Sequence, residues 1–338
     1  MWTKKFLARS ALVAGLAATV VALAGCGASD GESKPLTLRV GDQLNVMRGT
    51  LAAAGEDKPA DYKIQWSSFF GGPAVIAAQT GGSVDLGWMA ETPLIFAQAA
   101  GSPVKVVAVG RREVPGASPL ALVVAPGSPI RSVADLKGHS VGFMPGTVTQ
   151  YFVVRLLERE GLSLADVRPV HLTGAAAALL ANGTVDATVT SDPVLSQQLE
   201  DGAVRVIATG GEPLTAELNY LVAPDRALAD PARAAAIGDF VERFARASLW
   251  QGQYPDEAAP TIARVYNISP KIAEEMLRRA PIRYVPVDAR IIARHQEEAD
   301  TFHRLGLIRA RLDTSKIFDP RYDARVLAAG GTTAEQAR

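Results

Sequence analysis

Gly82-Ser83-Val84-Asp85 and Gly183-Thr184-Val185-Asp186 are two copies of one short pattern, and each is followed, nine residues after its Gly, by an acid, Glu91 or Asp192. Each copy reads as the end of a helix, a short apolar strand and a turn closed by Pro93 or Pro193, the same α/β unit twice. Gly-x-Val-Asp is common in helix-to-strand connections, so it is the matching downstream acid and Pro that argue for a repeat. Two units predict two lobes. Ligands of open α/β sheets sit beyond the carboxyl ends of strands, so Glu91 and Asp192 are expected at a cleft between the lobes.

Lys4, Lys5 and Arg9 precede an apolar run from Ala11 to Ala24, too short to span a bilayer comfortably and ending in Leu23-Ala24-Gly25-Cys26. That ending resembles a bacterial lipobox. The resemblance implies that residues 1–25 are a lipoprotein signal peptide and that Cys26 is lipidated. The protein would then be held on the extracytoplasmic face of the cell membrane, in the periplasm or at the cell exterior. Gly27 to Ser33 then forms part of a flexible tether over 26–35. The alternative is a transmembrane anchor with an incidental Cys.

Cys26 is the only cysteine of the 338 residues, so a mature domain of this length must fold without disulfides and without thiol chemistry or Cys-containing metal sites. Lys and Arg number 35, as do Asp and Glu, with no basic run and no aromatic-basic interleaving, which removes the signature of a nucleic-acid binder. Small molecules or proteins are left as partners, and a monomer is expected.

The first lobe is read over 36–120, with strands at Leu36 to Val40, Tyr62 to Trp66, Val84 to Trp88 and Val104 to Val109, and helices at Val46 to Ala54, Ala74 to Thr80 and Pro93 to Ala99. The second lobe, 121–219, restarts the pattern. Leu120 to Ala125 crosses into it, strands follow at Ser140 to Phe143, Val167 to His171, Val185 to Val189 and Val204 to Ala208, and Gly146-Thr147-Val148-Thr149-Gln150 opens a long helix. Asn219 to Pro224 returns to the first lobe, whose second part, 220–322, is expected to be helical. The tail over 323–338 is expected to be disordered.

The run Gly82 to Gly87, then Pro93-Leu94-Ile95-Phe96-Ala97-Gln98-Ala99-Ala100-Gly101, then Ser132-Val133-Ala134-Asp135-Leu136-Lys137-Gly138 resembles the periplasmic aliphatic-sulfonate, taurine and nitrate binding proteins of ABC importers. The likeness spans roughly Leu36 to Pro320. It implies an α/β, two-lobed periplasmic-binding-protein fold of type II, with the ligand in a cleft between the lobes and a helical C-terminal part. It further implies capture of a small organic anion, most simply an aliphatic or aromatic sulfonate, and its delivery to a membrane permease. A pyrimidine or flavin precursor, nitrate, or a sensor role without transport are the alternatives. The family often has Trp-Asp-Pro where this chain has Ser191-Asp192-Pro193, which predicts a wider pocket. Asp42, where an aromatic is common, is read as an acid near the cleft that disfavours a small inorganic anion.

Enzyme readings find little support. His139, His171, His295 and His303 show no metal-ligand spacing, no Ser lies in a Gly-x-Ser-x-Gly elbow, and Glu91 with Asp192 reads more simply as ligand or structural acceptors than as an acid-base pair. No cofactor is expected. The anion is expected between two helix N-termini, Gly72-Pro73 and Gly146 to Gln150, with Thr147 and Thr149 donating hydroxyls and Gln43 or Gln150 completing the shell. Glu91, Thr92 and Asp192 are the remaining cleft candidates. Arg111 and Arg112 are rival anion partners, and helix capping is the rival role for Thr147, Thr149 and Asp192.

Overall fold

The computed structural model describes residues 35–114, 118–174, 176–211 and 213–331. The lipobox, the tether up to Lys34 and residues 332–338 lie outside them. Strands β1 (Leu36–Gln43), β2 (Tyr62–Phe69), β3 (Leu86–Ala90) and β4 (Val104–Arg112) alternate with helices α1 (Val46–Ala53), α2 (Gly72–Thr80) and α3 (Thr92–Ala99). A second series has β5 (Leu120–Val124), β6 (Ser140–Phe143), β7 (Arg168–His171), β8 (Ala187–Ser191) and β9 (Arg205–Thr209), with α4 (Val148–Arg159), α5 (Ala176–Ala181) and α6 (Val194–Glu200). After β10 (Leu218–Pro224) come α7 (Asp225–Ala229), α8 (Pro231–Gln253), α9 (Pro255–Tyr266), α10 (Pro270–Arg279), β11 (Ile282–Val285), α11 (Ala289–Arg304) and α12 (Asp323–Ala328).

The strands form two sheets, ordered β2-β1-β3-β10-β4-β11 and β7-β6-β8-β5-β9. The repeat seen in the sequence is built into both. Asp85 accepts from Arg39 N at 3.1 Å and Asp186 from Ser140 N at 2.7 Å, each across 46 residues of chain. Each Asp therefore fixes the start of its own strand against the parallel neighbour: Val40 lies opposite Leu86 and Val141 opposite Ala187. Each sheet then takes one antiparallel strand beside this core, β10 against β3 and β4, and β5 against β8 and β9.

Both sheets are covered on both faces, which is why their strands read as nearly unbroken apolar runs. Leu38, Val40 and Leu86 pack with Ile237 and Phe240 of α8, while Met89, Val106 and Tyr220 pack with Val75 of α2 and Leu94 of α3. In the second sheet Leu122 and Val141 meet Phe152 and Leu156 of α4, and Ala121 and Val123 meet Leu180 and Leu195 on the opposite face.

The region after Pro231 is mostly helical, as expected, with one strand among the helices: β11 docks antiparallel on β4 with Ile282 opposite Arg112 and Val285 opposite Val109. One expectation is corrected: the chain from Asp323 is not irregular. It forms α12, whose Val326 is fully buried with Phe240 and Phe244, and the preceding Tyr322 donates its hydroxyl to Ala234 O at 2.7 Å. A short helix with one apolar face is ordered by the groove it fills.

Candidate functional site

The N-termini of α2 and α4 come from the two sheets' separate βα series and face each other. Gly146, at φ +69°, lies beside Phe96 and Pro73: a Cβ there would be in ordinary contact, 3.7 Å from the Phe96 ring and 4.0 Å from Pro73 Cγ. Gly71, at φ +84°, lies against Met144, whose sulfur would be 2.8 Å from a Cβ placed on it. Both positions favour glycine through their positive φ, and a side chain at Gly71 would have to displace the Met144 thioether. First-turn N–H groups have no intrahelical acceptor, so this meeting point presents donors and partial positive charge from two sides.

The expected hydroxyl donors are engaged in shaping the loop. Thr147 Oγ1 donates to Met144 O at 2.8 Å and accepts from Thr149 N at 3.3 Å, while Thr149 Oγ1 accepts from Met144 N at 3.0 Å and lies 2.8 Å from Thr147 Oγ1. Gln150 Oε1 accepts from Gly146 N at 2.8 Å. Capping is thus what these side chains do here; it occupies the N–H groups of Gly146 and Thr149, so what the α4 terminus offers is the rest of its first-turn backbone. Gln43 lies across the ends of two strands, its Nε2 donating to Trp88 O at 2.6 Å. Gly72 makes room for a neighbouring helix, since a Cβ there would lie 2.5 Å from Pro93 Cγ.

Glu91 and Thr92 follow β3 as expected, but they are buried. Thr92 Oγ1 donates to Glu298 of α11, and Glu91 Oε1 has no hydrogen-bond partner among the described residues. Burial, then the neighbouring Glu298, pushes the Glu91 carboxyl well above its usual range, and burial raises Glu298 to about 8. His295 completes this interior cluster, edge-on to Tyr220 at 5.5 Å, and burial depresses it to about 3. Asp42 is also interior. Its carboxylate accepts from Met47 N at 3.1 Å and Arg48 N at 3.0 Å, capping α1, so the argument that it repels a small anion at the cleft does not hold.

Asp192 accepts from Ser196 N at 3.2 Å and Ser196 Oγ at 2.6 Å, the local capping role, and from Arg279 Nη1 of α10 at 3.0 Å. It also lines a cavity of about 160 Å³ together with Leu44, Trp88, Arg112, Tyr266 and Met276. Arg112 is held there by Glu217 at 3.1 Å and by Ala280 O at 2.8 Å. Of its walls the sequence pointed to Asp192 and Arg112; the apolar ones come from distant segments whose residues read as ordinary core. Among the described residues no cluster of His, Cys, Asp and Glu could hold a metal ion.

Residues 71–258 match the family model described as NMT1/THI5 like, and 295 residues, 86% of the chain, align at 34% identity with 91% of an Escherichia coli K12 protein that carries the name of an aliphatic sulfonates-binding protein. The chain belongs to this family. The alkanesulfonate-binding protein SsuA of Xanthomonas axonopodis pv. citri, solved bound to MOPS, superposes with a TM-score of 0.76 at 30% identity, covering 84% of this chain and 98% of its own. The Escherichia coli periplasmic aliphatic sulphonate binding protein SsuA gives a TM-score of 0.71 at 32% identity, covering 85% of this chain and 93% of its own. The family's fold is therefore the one described above: two α/β lobes of the periplasmic binding protein type. These relatives are binding proteins rather than enzymes.

Proposed function

We propose that the protein is an extracytoplasmic receptor for an organic sulfonate, anchored through lipidated Cys26, that hands its ligand to the permease of an ABC importer. The observation that carries this reading is the opposition of the α2 and α4 N-termini across the two lobes. A sulfonate distributes one negative charge over three acceptor oxygens, which suits converging N–H groups and two helix dipoles without a Lys or Arg. The family relatives named for sulfonates support the same ligand class.

Binding to the folded state alone raises the melting temperature, by an amount equivalent to about 2.7 kcal/mol at a hundred times Kd. A thermal-shift series on the full chain in detergent should show stabilisation by organic sulfonates and none by nitrate, pyrimidines or flavins. A shift produced by one of the latter alone would overturn the assignment. For the anchor, Cys26→Ala should move the protein from the membrane to the soluble fraction, because the acyl chains supply the attachment. Retention in carbonate-washed membranes would count against lipidation at this residue.

A further inference from the structure

Among the described residues Met47 and Met89 are fully buried, while Met144 and Met276 are only partly so. Met144 is the one that joins the two facing helix termini. It follows β6 directly, and its backbone is fixed on both sides: Met144 N donates to Thr149 Oγ1 at 3.0 Å and Met144 O accepts from Thr147 Oγ1 at 2.8 Å. With the backbone tied to α4, the side chain crosses to α2. A Cβ built on Gly71 would lie 2.8 Å from Met144 Sδ and 3.7 Å from its Cε, so the thioether fills the space that a side chain at Gly71 would take.

Gly71 is the N-cap of α2. A glycine supplies no side-chain oxygen, so α2 begins without a cap, whereas Thr147 caps α4. Pro73 has no N–H, which leaves those of Gly72 and Ala74 in the first turn of α2. The group that touches this uncapped start is a thioether, and a thioether is a weak acceptor. Oxidation changes that. A sulfoxide is polar, carries the negative end of its dipole on oxygen, and suits the partial positive charge of a helix N-terminus.

We propose that Met144 is a redox-sensitive modification site, at which a peroxide converts the thioether to a sulfoxide whose oxygen caps α2 and thereby competes with the sulfonate. The inference rests on the sulfonate reading above and adds its regulation. In the step, Sδ attacks one oxygen of hydrogen peroxide and the S–O bond forms as the O–O bond breaks. The departing hydroxide takes the proton of the transferred oxygen and leaves as water. Sulfur is oxidised by two electrons and the peroxide is reduced. Methionine sulfoxide reductases reverse the change, one enzyme for each sulfoxide epimer, so the site can be reset.

The test uses the full chain carrying Met276→Leu, which leaves Met144 as the partly buried methionine among the described residues. The protein is treated with graded hydrogen peroxide, peptide mass spectrometry gives the sulfoxide fraction at each methionine, and calorimetry measures propanesulfonate binding. Met144 should oxidise well before Met47 and Met89. The oxidised protein should bind at least about tenfold more weakly, the cost of losing one hydrogen bond to a charged oxygen, and methionine sulfoxide reductases A and B with dithiothreitol should restore the Kd. Saturating propanesulfonate should in turn slow oxidation at Met144 without slowing that of free methionine added to the same tube. Leucine replaces methionine at nearly equal volume, so Met144→Leu in the same background is expected to fold. Its Kd, whatever the starting value, should not change with the same dose of peroxide. Oxidation of Met144 no faster than that of Met47, a sulfoxide at Met144 with an unchanged Kd, or an equal loss of affinity in the Met144→Leu protein would overturn the inference and leave the sulfonate reading intact. Failure of propanesulfonate to bind the untreated protein would overturn both.

Discussion

Glu298 and Glu91 stand close together in the interior with only Thr92 and backbone to bond them, and this fixes how stability must vary with pH. Both carboxyls are raised in the folded chain, so between the unfolded value near 4.5 and about 8 the folded state holds protons that the unfolded state has lost. Stability therefore falls as pH rises through that window. His295 runs the other way, since its folded value near 3 lies below the unfolded 6.5, and it offsets one of the two carboxyls only below about pH 6.5. Melting temperature should drop most steeply between about pH 6.5 and 8, and Glu298→Gln should flatten that drop. A variant with the same pH slope as the parent would show that Glu298 does not hold the proton. The pattern rule correctly put Glu91 after a strand, but burial by α11, more than 200 residues along the chain, could not be read from its neighbours.

Capping decides the element that the site depends on most. The loop from Met144 to Gln150 is tied by Thr147, Thr149 and Gln150, so the α4 terminus is rigid before any ligand arrives. Removing both hydroxyls should cost about 1–2 kcal/mol of stability, the usual range for losing a cap. Thr147→Ala with Thr149→Ala should therefore lower the melting temperature of the unliganded protein and weaken sulfonate binding together. An unchanged melting temperature with lost binding would restore the hydroxyls as direct ligand donors. The start of this helix was legible because Gly, Thr and Thr precede an apolar period, and most strands were legible as apolar runs. β11 was not. Four residues between two helices carry no period, and the strand exists because Arg112 and Glu113 bond the backbone of Ala280 and Pro281 just before it. The helix α6 was legible only through the capping role open to Asp192, which its first turn bears out, and not from any apolar period of its own.

At the scale of the whole molecule, a seam joins α4 of the second lobe to α3 and α11 of the first. Phe302 of α11 lies edge-on to Phe96 of α3 at 5.0 Å and tilted to Tyr151 of α4 at 5.7 Å, and Ile95 and Ile308 complete the cluster. Ion pairs flank it, Arg304 to Glu158 at 2.8 Å and Arg155 to Glu297 at 3.7 Å, but exposed pairs contribute at most about 1 kcal/mol each. The two-lobe division was legible from the repeated Gly-x-Val-Asp pattern, whereas the seam joins residues about 150 positions apart and leaves no trace in either segment alone. Tyr151→Ala removes the aromatic from the α4 side, and truncations of this kind cost about 3–5 kcal/mol when both faces stay packed. Part of that cost can be relieved by opening, so the variant's unliganded ensemble should shift toward the open form. Apparent affinity then falls in proportion to the closed fraction, because a ligand that bridges the lobes must first restore it. Small-angle scattering should show a larger radius of gyration for unliganded Tyr151→Ala, returning to the parent value at saturating sulfonate, with Kd at least tenfold weaker. The same radius and the same Kd as the parent would mean that the seam is not what holds the lobes together.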